Sequence, residues 1–509
     1  MRARRDREER SGILTHDWVD RAARQKLEVY NVIDGARRQG SGAEQIAKLS
    51  PRDGAALYSF PVGAPCDVDA AVSSARTALA DGPWRDFTVG RRKRVLSRLI
   101  DLIGQHAETF ALYECLDVGK PIRTALVDDV QRAIAKIRPC IEGADKVWSP
   151  SGTDGGAFCY QRRKPVGVIG AIVGWNYPLG LATGRIAPAL VMGNSIVLKP
   201  SEFTGFSTCL LAQLALEAGV PPGVFNVVNG AGATVGDALA RHDDVGLLSF
   251  VGSSATGKKL MEAAAQSNMK RLILECGGKS PMIVFEDCWR DLDALAARIV
   301  AQAFPNQGAL CIAGTRLLID EGLQDALLPR IVDLAEAIEP GDPLDPETSF
   351  GAIINEEHLS KVRGFIERAE RDGARRLCGG ERVLEQTGGC YLTPAILDRV
   401  GPSMELNRQE VFGPVLTVQT FADEAEAVRL ANDVRYGLAA HVYTRDVPRC
   451  QRLGRDLDVG LLQILPSAEP SGGGVSVSVQ PHKESGFGHG GGLEGLAAHT
   501  VTTSVVMAT

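Results

Sequence analysis

VGVIGAIV (166–173) and SIVLKP (195–200) decide how this chain folds. Each is a short β-rich run, and three more follow: FNVVNG (225–230), GLLSFVG (246–252) and LILECGG (272–278). Helical stretches lie between them, such as STCLLAQLALEAG (207–219), which Gly219 and Pro221 close. Strand and helix alternating at this spacing imply βαβ units and a parallel sheet. A second α/β stretch begins at SPMIVFED (280–287) and runs past Leu430. Upstream, Val95, Leu96, Leu99, Ile100, Ile103, Phe110 and Leu112 follow helical spacing and predict one long helix from Gly90 to Asp117. Gly119 and Pro121 stop it. Residues 1–30 mix both charges with little apolar periodicity and read as a frayed or loosely docked extension. The segment 470–496 is rich in Gly and Ser, a composition that favours a flexible loop.

Composition narrows the function. A chain of 509 residues is too long for one core, so two or three domains are expected. A content of 44% hydrophobic and 23% charged residues is that of a soluble globular protein. The net charge of −6 gives no support to nucleic acid as a partner. The longest apolar stretch, Val166 to Trp175, is too short to span a bilayer. The opening MRARRDREERSGILTH carries charge but no apolar core of a secretory signal, and a cytoplasmic location is expected. The 11 cysteines stand singly, with no CxxC pair or Cys/His cluster of zinc spacing, so no metal is expected.

Several strand ends carry polar residues that chemistry could use. In NGAGATVGD, Gly230, Gly232 and Gly236 nearly match a dinucleotide fingerprint, but the last spacing is one residue too long. In VGSSATGKK, Gly252 and Ser253 end a strand and open a helix, where free amides attract phosphate; a plain strand–helix turn has the same look. In GWNYP, an exposed Asn176 amide would suit a developing oxyanion, or would make an Asx turn before Pro178. Lys199 and Glu202 of VLKPSE sit where α/β sheets bind ligands, or are solvated turn residues. Glu275 of LECGGKSP lies in an apolar strand. Such surroundings predict a raised pKa suited to a general base, or else a capping or salt-bridged glutamate. Cys311, in FPNQGALCIAGTR, is either a small inert core thiol or a nucleophile.

Together, GWNYPL, VLKPSE, FVGSSATGKK, LECGGKSP, NQGALCIAGTR and QEVFGPV resemble the aldehyde dehydrogenase superfamily, across nearly all of 31–505. LDVGKPIR (116–123), QSNMKRLILECGGKS and CIAGTRLL look closest to the bacterial gamma-glutamyl-gamma-aminobutyraldehyde dehydrogenases. The resemblance implies NAD(P)-dependent oxidation of an aldehyde to a carboxylic acid. Cys311 is then the nucleophile, and Asn176 with the Cys311 backbone N–H holds the oxyanion of the thiohemiacetal. Hydride leaves for the nicotinamide, and Glu275 activates the water that hydrolyses the thioester. Lys199 and Glu202 hold the adenosine ribose, and Gly232 falls near the adenine. Gly252, Ser253 and Trp175 line the pyrophosphate side; Glu410 and Phe412 face the nicotinamide ribose and ring. Glu202 favours NAD by bonding a free ribose hydroxyl, while Lys199 and Ser201 leave NADP open.

The fold implied is α/β: a Rossmann-like cofactor domain (31–137 and 162–274), a second α/β catalytic domain (275–460) and a small β oligomerisation element (138–161 and 478–509). A bare strand edge there invites self-association as dimer or tetramer. The chain departs from the family in places. Gly174 replaces a usual proline, and Gly180 and Gly184 stand where bulky entrance residues are usual, which predicts a roomier pocket. Leu465 takes an asparagine position, and Gln480 and Pro481 replace a double glycine, although Lys483, Ser485 and Gly486 persist. Asp117 is the acidic candidate for a substrate amino group, or belongs to a helix C-terminal turn. The alternatives are a CoA-acylating aldehyde dehydrogenase and a non-catalytic family member with a remodelled substrate mouth.

Overall fold

The computed structural model of the protein describes residues 17–465 and 477–508. Its first sheet is built on five parallel strands: β1 (Val168–Ile172), β2 (Ser195–Lys199), β3 (Phe225–Val227), β4 (Val245–Val251) and β5 (Arg271–Glu275). Their spatial order is β3-β2-β1-β4-β5, so the chain winds outward one way, then returns past β1 and winds outward the other way. Every residue of β1, β2 and β3 is buried, because helices cover both faces. The register aligns Ile172 with Lys199, Phe250 with Ile172, and Val251 with Glu275. The carboxyl ends therefore finish on one line, around the crevice where strand order reverses and where such sheets bind ligands.

Seven helices matter for the site: α1 (Val89–Gln105), α2 (Ala107–Val118), α3 (Val130–Gly143), α4 (Pro178–Val191), α5 (Phe206–Ala218), α6 (Ser254–Ala265) and α7 (Leu292–Ala303). The single helix expected over 90–117 is two. His106, at φ −101° and ψ 19°, ends α1 and starts α2, and Thr88 caps α1 by accepting from the Arg91 N–H. Gly119 ends α2 in the left-handed region, φ 86°, where a Cβ would lie 2.8 Å from Pro51 Cβ. Leu96, Leu99, Ile103 and Phe110 join Ile134 and Ile137 of α3 and Ile186 and Leu190 of α4 in one core.

The second sheet has seven strands: β6 (Pro281–Val284), β7 (Arg316–Asp320), β8 (Arg375–Cys378), β9 (Ala395–Asp398), β10 (Val415–Phe421), β11 (Ala439–Tyr443) and β12 (Leu461–Ile464), in the order β8-β9-β10-β7-β6-β11-β12. All neighbours are parallel except β8 and β9. Arg316 is fully buried and donates to the carbonyls of Lys279, Leu430 and Ala431 at 2.9, 3.0 and 2.8 Å, which ties the start of β7 to the segment after β5.

Composition misleads over the C-terminal segment. Part of it, 466–476, lies outside the described residues. Beyond it, Gly486–Phe487 pairs antiparallel with Leu274 and Glu275 of β5. Ser485 Oγ donates to the Gly277 carbonyl at 2.7 Å and accepts from the Gly437 N–H at 3.0 Å. Thr500–Ala508 pairs antiparallel with Ala157–Pro165, whose other edge holds Ser151–Asp154. Residues 138–143 are the last turns of α3 and pack in the first core, so the small sheet begins at Ser151. The N-terminal stretch differs too. Its first 16 residues lie outside the described ones, but Trp18–Arg24 is a helix, and Trp18, 1% exposed, packs with Ala111, Leu112, Cys115 and Ile122. One large indole outweighs the charged residues around it.

Trp18→Ala is expected to destabilise the protein by about 3–5 kcal/mol, read as an earlier urea midpoint, because it empties a closed pocket against α2.

Candidate active site

Cys311 follows an unusual turn. Asn306, Gln307 and Gly308 all have positive φ, at 50°, 55° and 75°. Two non-glycine residues there cost about 1–3 kcal/mol each. The surroundings enforce it: Asn306 Nδ2 donates to the Asn176 carbonyl at 3.0 Å, and a Cβ on Gly308 would sit 2.2 Å from the Gly413 carbonyl. Cys311 is partly exposed beside it, and its backbone N–H makes no hydrogen bond among the described residues. Burial of the sulfur, then the Glu410 and Glu275 carboxylates, push the thiol up to about 12, while Lys136 pulls it down. A sulfur ready-ionised near neutral pH is therefore not what the isolated chain holds. At pH 8 a thiol with pKa about 12 is ionised to about one part in 10⁴.

Asn176 is 6% exposed, not open to solvent as the sequence led one to expect. Its amide donates to the Ala309 carbonyl at 2.9 Å, which fixes the side chain against the turn and leaves the second N–H of the amide. Its own carbonyl accepts from Lys120 Nζ at 2.9 Å, and Lys120, fully buried, is paired with Asp129.

Glu275 corrects another expectation. Its carboxyl is held below the ordinary carboxylate value: burial would raise it, but the Arg185 guanidinium outweighs burial, with Lys136 assisting. Arg185 Nη2 stands 2.7 Å from Glu275 Oε1. The salt-bridged alternative is the one realised. A Cβ on Gly490 would lie 2.3 Å from that oxygen, so the C-terminal segment closes directly over the carboxylate. Gly277 and Gly278 have their own reasons. A Cβ on the first would strike Glu410 Oε2 at 1.9 Å, and on the second the Cys311 carbonyl at 2.7 Å. Glu410 accepts from the Gly278 N–H at 3.2 Å, and burial raises it to about 7.

Phe412 and Trp175 meet edge to face at 5.2 Å, with His358 against the same indole at 5.3 Å. His358 Nε2 lies 2.7 Å from the Phe412 carbonyl, and burial lowers its pKa to about 4, so it is neutral. These three rings line a cleft of about 190 Å³ with Asn306 and Gln307.

Farther along the same carboxyl edge of the first sheet, Lys199 Nζ donates to Glu202 at 3.1 Å and to the Pro200 carbonyl at 2.9 Å. Burial would raise the Glu202 carboxyl, but Lys199 and the Gly232 N–H keep it low. Nothing stands within 4 Å of where a Gly232 Cβ would be. An ionised acceptor, a buried cation and open space suit a ribose diol. At Gly252 a Cβ would meet Phe250 at 2.5 Å, and the Ser253 hydroxyl caps α6 by accepting from the Thr256 N–H at 3.2 Å. That hydroxyl thus serves the helix, and the glycine serves packing.

Three groups escaped sequence reasoning. Arg185 and Lys136 sit on helices and Lys120 in the turn after α2, all as ordinary surface-pattern cations, and only packing turns them inward. The expected extra room beside Gly180 and Gly184 is partly filled: Cβ atoms there would lie 3.8 Å from Arg132 Cδ and 3.9 Å from Lys136 Cδ. Asp117 is 1% exposed and accepts from the Tyr58 hydroxyl at 3.0 Å; burial raises it to about 8, and it is no partner for a substrate amine. No group of three or more His, Cys, Asp or Glu among the described residues could hold a metal, and no described helix is long and apolar enough to cross a membrane.

A doubly wound sheet whose strand ends meet a cysteine turn from a second α/β unit is the build of a dinucleotide-dependent dehydrogenase that works through a thiol. Residues 38–505 match the aldehyde dehydrogenase family, and the chain belongs to it. It is 42% identical over 484 residues to the NADP/NAD-dependent aldehyde dehydrogenase PuuC of Escherichia coli K12, covering 95% of this chain and 96% of that one. A gamma-glutamyl-gamma-aminobutyraldehyde dehydrogenase from Burkholderia cenocepacia superposes with TM-score 0.92 at 41% identity, covering 97% and 99% of the two chains. An indole-3-acetaldehyde dehydrogenase solved with NAD+ gives TM-score 0.93 at 39% identity, with the same coverage.

Replacing Arg185 by Gln removes the charge that keeps Glu275 ionised, so the folded pKa of Glu275 rises. The acidic limb of the pH profile for steady-state turnover is expected to move up by about one unit; an unmoved limb would mean that Glu275 titrates without reference to Arg185.

Proposed function

We propose that Cys311 carries out the oxidation of an aldehyde to its carboxylic acid, with NAD(P) as the hydride acceptor. The observation that carries this reading is the Asn306–Gly308 turn. It supports the reading because Asn176 is bonded to this stretch at Asn306 and at Ala309, two residues before Cys311, and the charges of Glu275 and Glu410 are both felt at the sulfur.

Cys311 Sγ forms a bond to the carbonyl carbon as its proton is lost to Glu275, which Arg185 keeps ionised and able to accept it. The second N–H of Asn176 and the free Cys311 backbone N–H stabilise the oxyanion of the thiohemiacetal. The bound dinucleotide supplies the electron-pair acceptor for the hydride that leaves the same carbon. Lys199, Glu202 and Gly232 would hold its adenosine end, Gly252, Ser253 and Trp175 its middle, and Glu410 and Phe412 its reactive end. Glu202, ionised beside Lys199, favours an unphosphorylated ribose and therefore NAD, with NADP tolerated. Glu275 then gives that proton up to solvent and takes another from water; hydroxide adds to the thioester, the acid leaves, and the departing sulfur recovers the proton from Glu275.

Hydrolysis is favoured over transfer to CoA by the water-activating carboxylate beside the sulfur. Cys311→Ala should remove NADH formation with any aldehyde. Glu275→Gln should slow thioester hydrolysis and lower steady-state turnover by about 10²–10⁴-fold. Acyl-CoA formed in preference to free acid would overturn the hydrolytic reading.

We infer further that the chain self-associates as a dimer or tetramer and works in the cytoplasm. Thr500–Ala508 is an edge strand, and Val506 and Met507 lie exposed on it at 67% and 54%. All eleven cysteines are unpaired, as a reducing compartment requires. Light scattering should give a mass of two or four chains, and fractionation should recover the activity with cytoplasmic markers; a monomer or an exported enzyme contradicts the respective inference.

A further inference from the structure

We propose that the aldehyde bears a carboxylate at its far end, received by Lys136 and Arg132. This rests on the reading of Cys311 as the nucleophile and goes on to name the chemical class of its substrate.

Arg132 and Lys136 stand one turn apart on α3, and Gly180 and Gly184 stand one turn apart on α4, the helix that begins just after Asn176. The two cationic stems lie over the two glycines, at 3.8 and 3.9 Å from where side chains would begin. Bulky residues at those glycines would claim the space. Their absence leaves two long, flexible cations facing it. Both positions are tied to the reaction centre. Arg132 stacks over the Tyr177 ring at 5.0 Å, and Tyr177 is near enough to Cys311 for the two to interact electrostatically. Lys136 acts on both Cys311 and Glu275.

The neighbouring acids are otherwise engaged. Glu275 is paired with Arg185, and Asp129 with Lys120. Asp128 feels Arg132, but no ion pair joins them, and burial holds its carboxyl above the ordinary value. Lys136 makes no ion pair among the described residues. With Asp129 and Glu275 each held by another cation, two cations set over a pair of bare glycines will attract an anion. An ammonium tail would meet two like charges, and Asp117, the acidic candidate the sequence offered, is sealed away against Tyr58. The fitting class is the ω-oxo carboxylates, whose oxidation yields dicarboxylates. A guanidinium and an ammonium together can hold a carboxylate as a fork and a point charge.

The test compares kcat/KM for 4-oxobutanoate, its methyl ester and 4-aminobutanal, with NAD in excess. The carboxylate is expected to exceed the ester by about five- to tenfold, the worth of two partly exposed ion pairs, and to exceed the amine by more. The ratio of carboxylate to ester should shrink at high ionic strength. It should approach one in R132Q/K136Q, with the change falling on KM for the anion. An ester used as well as the carboxylate by the wild type, a preference for the amine, or a ratio that the double substitution leaves intact would each overturn the proposal. If the double variant does not fold, the wild-type ratio and its salt dependence still decide. Should neutral aldehydes be oxidised with no preference for the anion, only this inference fails. Should no aldehyde of any charge yield NADH, the reading of Cys311 fails with it.

Discussion

One reciprocal contact organises the site. Asn306, from the segment that leads out of α7, donates to the Asn176 carbonyl, and Asn176, at the end of β1, donates to the Ala309 carbonyl. Lys120 adds a third bond to the same Asn176 carbonyl from the end of α2. Three chain segments from two α/β units are thereby fixed at one point. The left-handed turn at Asn306 and Gln307 would not persist alone; it holds because buried amides must be satisfied and this geometry satisfies them. The position of the Cys311 sulfur is the outcome.

Around that point the charges are arranged to oppose burial unequally. Glu275 is kept ionised by Arg185, whereas Glu410, lacking a partner as close, rises to about 7. The thiol, near both carboxylates, is pushed up. Two carboxylates that both act on the same sulfur thus have different protonation behaviour, set by which of them has an arginine. The same logic explains the glycines. Gly277, Gly278, Gly308 and Gly490 are bare because Glu410, the Cys311 carbonyl, the Gly413 carbonyl and Glu275 occupy the space where a Cβ would stand. The site is crowded by its own polar groups.

The remodelled C-terminal segment keeps what this crowding needs. Ser485 bridges Gly277 and Gly437, Gly486 pairs with Glu275, and Lys483 donates to the Asn432 carbonyl at 3.0 Å. Leu465, in place of the usual asparagine, is buried in the core of the second sheet. Of the retained residues, Ser485 and Gly486 hold the end of β5.

What the sequence determined by itself was the periodic part. Apolar runs at strand length with helices between them dictate a parallel sheet, and Gly119 and Gly219 dictate helix ends at φ 86° and 103°. Those signals are local, since a few neighbouring residues suffice to produce them. The cysteine and the strand-end residues were legible as a set through their order along the chain. The sequence could not show which charges face each other. Arg185 pairs with Glu275, Asp117 is sealed against Tyr58, Trp18 docks an otherwise charged terminus, and Lys136 and Arg132 overhang two glycines. Each of these is a contact between distant segments. Electrostatic consequences depend on distance and burial, and both quantities come into existence only when the helices pack on the sheets.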